Sequence, residues 1–146
     1  MEKIKILFVC VHNSARSQMA EAFVNSYHND KFIAESAGLE PGSLNQLVVK
    51  SMSEIGIDIS KNETKDVFDF FKEGRRYDYV VTVCDQASGE RCPIFPGARK
   101  TINYSFDDPS ALTGSDEEKL IKIAKIRDEI KKQIELLCKE IEEQNL

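Results

Sequence analysis

The sequence predicts an α/β fold, a small four-stranded parallel sheet flanked by helices. Three observations predict it. Apolar runs of strand length alternate with stretches of helical spacing along the chain. The run Tyr79-Val80-Val81-Thr82-Val83 is nearly all apolar, as a strand covered on both faces must be. A short polar loop, opening with Cys10 and closing with Arg16, joins an apolar run to a helical pattern. Sites in such sheets lie at the carboxyl ends of the strands.

The elements follow in order. Ile4–Val9 is the first strand, and Ala15–Tyr27 is a helix with Met19, Ala20, Phe23 and Tyr27 at helical spacing. A short strand over Phe32–Ser36 ends near Gly38. Leu44, Leu47, Val48, Met52 and Ile55 recur as a helix face, stopped by Gly56. Val67, Phe68, Phe70 and Phe71 suggest a short helix ending at Gly74. Tyr79–Val83 is the third strand and Lys100–Tyr104 a shorter fourth. Ser115-x-x-Glu118 is a capping box. Behind it Leu120, Ile123, Ala124, Ile130, Ile134, Leu137 and Ile141 line one face of a long helix. The order β-α-β-α-α-β-β-α puts helices on both faces of the sheet.

A chain of 146 residues is expected to form one domain over 1–146 and to bury a core without staples. A net charge of −5 argues against nucleic acid or an anionic membrane as partner. An anionic substrate must then be drawn by a local positive site. No apolar run reaches a transmembrane length, and Met1–Lys5 lacks the apolar core of a signal peptide, so a cytosolic protein is expected; a monomer is expected as well. In a reducing compartment Cys10, Cys84, Cys92 and Cys138 read as chemistry or metal before structural disulfides.

The loop Cys10-Val11-His12-Asn13-Ser14-Ala15-Arg16-Ser17 carries the strongest signal. The amides of Val11 to Arg16 and the helix start behind them form an anion site. Arg16 adds a fork that matches a tetrahedral oxyanion. The same positive field favours the Cys10 thiolate, to which Ser17 can donate its hydroxyl. His12 shapes the loop, and His28 sits at a helix end. Cys84 and Cys92 close a polar segment rich in small residues. They read as a packed and an incidental cysteine, or as a thiol pair able to form a disulfide; their spacing is too long for a two-residue zinc chelate. Asp107-Asp108-Pro109 reads as a plain turn, or as a turn that presents Asp108 as a general acid. Cys138 falls on the apolar face of the last helix and reads as core.

One thiolate in an oxyanion cradle supports displacement at a phosphate ester, followed by hydrolysis. Arsenate differs, because arsenic(V) accepts two electrons when two thiolates become a disulfide. On arsenate Cys10 would attack arsenic, Cys84, the second thiol by sheet geometry, would attack the Cys10 sulfur as arsenite leaves, and Cys92 could capture Cys84 and carry the disulfide outward.

With these residues the whole chain resembles the thioredoxin-coupled arsenate reductases built on the low-molecular-weight protein tyrosine phosphatase fold, which is flavodoxin-like. Cys10-x5-Arg16-Ser17 marks the wider fold family. Val83-Cys84 through Cys92-Pro93 separates the reductases from the phosphatases, and Asp108-Pro109 fits the general-acid position. Seven residues separate Cys84 from Cys92, one more than the family pattern leads one to expect. The resemblance implies thioredoxin as reductant, no tightly bound cofactor, and phosphate or sulfate as competing oxyanions. It also implies a potassium ion beside the anion loop, supported by Asn13, Glu21, Ser36 and Asp66. Two rivals remain. One is a phosphatase, for which Ser110-Ala111 offers no aromatic wall to grip a phosphotyrosine ring. The other is a non-enzymatic redox or oxyanion sensor switched by a Cys84–Cys92 disulfide.

Overall fold

The computed structural model describes residues 2–84, 95 and 98–144. β1 (Ile4–Cys10) leads into α1 (Arg16–Tyr27), β2 (Phe32–Gly38), α2 (Gln46–Ser53) and α3 (Val67–Lys72). β3 (Tyr77–Thr82), β4 (Ala98–Asn103), a 3-10 turn (Pro109–Ala111) and α4 (Asp116–Gln144) complete the order. The four strands run β2-β1-β3-β4, and every pairing is parallel. The chain leaves β1 for β2 on one side and returns to β3 on the other. That reversal opens a crevice at the carboxyl end of β1, where Cys10 stands.

Side chains of β1 alternate between two cores. Ile6, Phe8 and Cys10 join Met19, Phe23, Val48, Met52, Ile130 and Ile134 of α1, α2 and α4. Leu7 and Val9 face the opposite side, where Val67, Phe70, Tyr77 and Phe95 form a smaller cluster. β4 is an edge strand whose Arg99, Lys100 and Thr101 are exposed, and charge on an edge discourages further pairing. Among the described residues no helix is long and apolar enough to cross a membrane.

Most element ends agree with their sequence signals. Asn45 caps α2 by accepting from the Leu47 and Val48 amides, and Asp66 caps α3 by accepting from Phe68. Gly56 and Gly74 follow α2 and α3 in the left-handed region, at φ 82° and 70°, where a Cβ is costly. Ser115 Oγ accepts from the Glu118 amide at 3.2 Å. Several bounds differ from expectation, among them the following. β2 extends to Gly38 because Ala37 and Gly38 pair with Val9 and Cys10. β3 begins at Tyr77, which pairs with Ala98 and is buried. α2 ends at Ser53, before the expected stop.

Candidate active site

Backbone bonding shapes the loop after β1. Leu39, Glu40 and Gly42 donate their amides to the carbonyls of Cys10, Val11 and His12, and Asn45 donates to Ser14. The carbonyl side of the loop is thus taken up by the 39–45 segment. A trans peptide points its N–H the opposite way, so the loop turns amides inward. The Asn13 amide donates to Cys10 Sγ at 3.1 Å. Behind the loop α1 has no side-chain cap on Ala15 and no acid in its first turn. A helix start without a side-chain cap or an acid suits an anion.

Cys10 Sγ lies 2.8 Å from Ser17 Oγ, and both residues are buried. The direction of that hydrogen bond follows from fixed donors. The Lys65 amide donates to Asn13 Oδ1 at 2.9 Å, which fixes the Asn13 amide orientation. Asn13 Nδ2 then donates to Ser17 Oγ at 2.7 Å, leaving the Ser17 proton for sulfur. Two donors, the Asn13 N–H and the Ser17 O–H, converge on the Cys10 sulfur. Asn13 is at φ 53°, a left-handed conformation that Asn tolerates better than most residues.

Arg16, 3 % exposed, donates to the Phe106 carbonyl at 3.1 Å. Its Nη2 is 3.8 Å from Asp108 Oδ2. Asp108 Oδ1 accepts from the Ser110 amide at 2.9 Å and caps the 3-10 turn. Ser110 Oγ in turn accepts from Asn45 Nδ2 at 3.0 Å. Asp107 is exposed. Of the two acids, Asp108 is the one held beside Arg16.

Cys84 is fully buried two residues beyond β3, its Sγ 4.0 Å from the Val9 carbonyl. Val9 is the residue before Cys10, so both thiols share one edge of the sheet. Cys92 lies outside the described residues. His12 is exposed, and its Nδ1 pairs with the Glu40 carbonyl at 2.8 Å. Cys138 is buried in the main core, and burial pushes its thiol up to about 12.

The residues implied for potassium lie close together. Ser36 donates to Glu21 Oε1 at 3.2 Å, and Lys65 Nζ is 3.9 Å from that same oxygen. Burial pushes the Glu21 carboxyl up, while Lys65 and Ser36 pull it back. Asn13 Oδ1 accepts from the Lys65 amide and Gln18 Nε2, and Asp66 Oδ1 accepts from the Phe68 amide. This donor set does not fit a resident potassium ion. A donor already faces Asn13 Oδ1, Glu21 Oε1 and Asp66 Oδ1, and the Lys65 ammonium supplies the counter-charge. Sequence reasoning missed Gln18, Asn62 and Lys65. Only the place of Gln18, one residue past the loop on the first turn of α1, offered a signal.

A thiol held by two donors, an uncapped helix start and a buried guanidinium together make a cradle for a tetrahedral oxyanion. The sequence profile described as "Low molecular weight phosphotyrosine protein phosphatase" matches residues 5–146. The chain belongs to this family. Within the family its similarity runs toward proteins named arsenate reductase. One from Halalkalibacterium halodurans is 42% identical over 134 residues, 92% of this chain and 94% of that protein. One from Bacillus subtilis is 43% identical over 130 residues, 89% of this chain and 91% of that protein. A solved structure of an arsenate reductase in the phosphate binding state has a TM-score of 0.77 and 27% identity, covering 94% of this chain and 98% of that one. A thioredoxin-dependent arsenate reductase from Corynebacterium glutamicum has a TM-score of 0.60 and 30% identity, covering 92% of this chain and 63% of that one. The phosphatase-family fold thus carries, in this member, a second buried thiol at the sheet edge that presents the first.

Proposed function

We propose that this protein reduces arsenate to arsenite and is returned to its dithiol state by thioredoxin. The observation that carries the reading is Cys84, buried against the Val9 carbonyl on the sheet edge that presents Cys10. Hydrolysis of a phosphate ester needs one thiol; reduction needs two. The named relatives support the same choice.

The loop amides, the α1 N-terminus and Arg16 bind the oxyanion. The Cys10 thiolate attacks arsenic and an oxygen leaves as water, its proton supplied by Asp108 Oδ2, the oxygen that faces Arg16. Cys84, as thiolate, attacks Cys10 Sγ. The sulfur–arsenic bond breaks, its electron pair stays on arsenic, and arsenite departs from a Cys10–Cys84 disulfide. Cys92 attacks Cys84 and frees Cys10 as thiolate. The dithiol of thioredoxin takes up the Cys84–Cys92 disulfide. Phosphate and sulfate compete for the cradle, and slow hydrolysis of phosphate esters is a residual activity of the same first step. The reading takes the working unit as a monomer and, because thioredoxin keeps thiols reduced there, places it in the cytosol.

Arsenic speciation after a single turnover tests the reading. Wild type should yield one arsenite per enzyme and Cys84→Ser none. Equal arsenite from both, or none from wild type, overturns it.

A further inference from the structure

We propose that Gln18 is a positioning residue for the Cys10 nucleophile, acting through Asn13. Gln18 is fully buried. Its Nε2 donates to the Asn13 carbonyl at 3.1 Å, to Asn13 Oδ1 at 3.1 Å and to the Glu63 carbonyl at 3.0 Å. Two backbone carbonyls among these acceptors fix which end of the amide is nitrogen. Its Oε1 accepts from Asn62 Nδ2 at 3.2 Å.

Gln18 therefore grips Asn13 at both its main chain and its side chain. The main-chain hold keeps Asn13 at φ 53°, the conformation in which its N–H reaches Cys10 Sγ. The side-chain hold keeps Nδ2 on Ser17 Oγ, so that the hydroxyl proton faces sulfur. Both donors to the thiolate descend from one buried amide, which itself touches neither Cys10 nor the space an oxyanion would fill. Asn62 and the Glu63 carbonyl tie the amide to the segment before α3. The inference rests on Cys10 being the nucleophile; its first readout needs no arsenate.

The experiment compares wild type with Gln18→Met, similar in length but without donors, and with Asn62→Ala, which releases only the Gln18 carbonyl. Alkylation of Cys10 by iodoacetamide at pH 7 is followed by peptide mass mapping, and arsenate kcat and KM are measured with thioredoxin, its reductase and NADPH. Loss of transition-state donors lowers kcat with little change in KM. In Gln18→Met, Cys10 alkylation and kcat should fall by about tenfold or more, with KM within about threefold. Asn62→Ala should fall between the two. If folded Gln18→Met keeps the wild-type alkylation rate and kcat, or loses only affinity, the proposal fails. Should Gln18→Met not fold, Asn62→Ala decides: slower alkylation supports the role and an unchanged rate rejects it. Slower alkylation in variants of an enzyme that yields no arsenite would leave this inference standing and reject the reductase reading.

Discussion

A Cβ on Gly38 would stand 2.8 Å from both the Asn13 nitrogen and the Val11 carbonyl oxygen. Both are backbone atoms, so no side chain can swing aside. Gly38→Ala must push the anion loop off the end of β2, costing about 1–3 kcal/mol as overpacking does. Phosphate titration and thermal melting should both register the change; unaltered phosphate affinity would mean that the loop gives way freely. Cys138 answers a different question at the same scale. Its thiol is raised by burial from the ordinary 9.0 to about 12. The folded chain thus holds a proton that the unfolded chain gives up. The stability this adds is complete below 9.0, declines as pH rises above it and is gone by about 12. Cys138→Ala should therefore lose less stability, relative to wild type, at pH 10.5 than at pH 7.5. A gap in melting temperature that stays constant would place the thiol's titration elsewhere. Turnover should survive the change, since Cys138 faces the core and not the sheet edge.

At the scale of elements, α4 is tied to α2 by a buried cation. Arg127 donates to the Ser51 carbonyl at 2.8 Å and Oγ at 3.2 Å, and lies 3.6 Å from Glu54. Arg127→Met should cost about 1–3 kcal/mol by leaving the Ser51 groups unpaired, with kcat unchanged; denaturant melts and steady-state rates separate the two. The apolar stripe of α4 was legible because its period is 3.6 residues, yet nothing marks Arg127 among its charged neighbours. The same division holds at the site. Cys10, Arg16 and Ser17 were legible from spacing, and the two acids after β4 from a sheet-edge argument. The network of Gln18, Asn62 and Lys65 was not, since it joins α1 to residues more than 40 positions away. The ammonium of Lys65 beside Glu21 carries its own expectation. Turnover at constant ionic strength should be equal in potassium and sodium chloride; a potassium-specific acceleration would show that these oxygens do open into a cage.

Across the whole molecule, parallel pairing sends every described strand's carboxyl end to one side, and both described site thiols lie there. A separate recess of about 670 Å³ at the opposite edge, lined by Lys3, Lys5, Arg76, Asp78 and Arg99 among others, takes no part in the chemistry. The relay itself is tested at this scale. Cys92→Ser should release one arsenite per enzyme and then stop with Cys10 and Cys84 joined, as disulfide mapping would show. Sustained turnover by that variant with thioredoxin would sink the three-thiol relay. The uncapped start of α1 has a consequence for the resting protein. With no side chain to close the helix, its opening turn depends on whatever anion occupies the cradle. The first amides of α1 should exchange with deuterium quickly in anion-free buffer and slowly in phosphate, and melting should rise with phosphate as a ligand selective for the folded state requires. The enzyme's own resilience then tracks the load of oxyanions around it: the cell that floods with arsenate stiffens the protein that removes it.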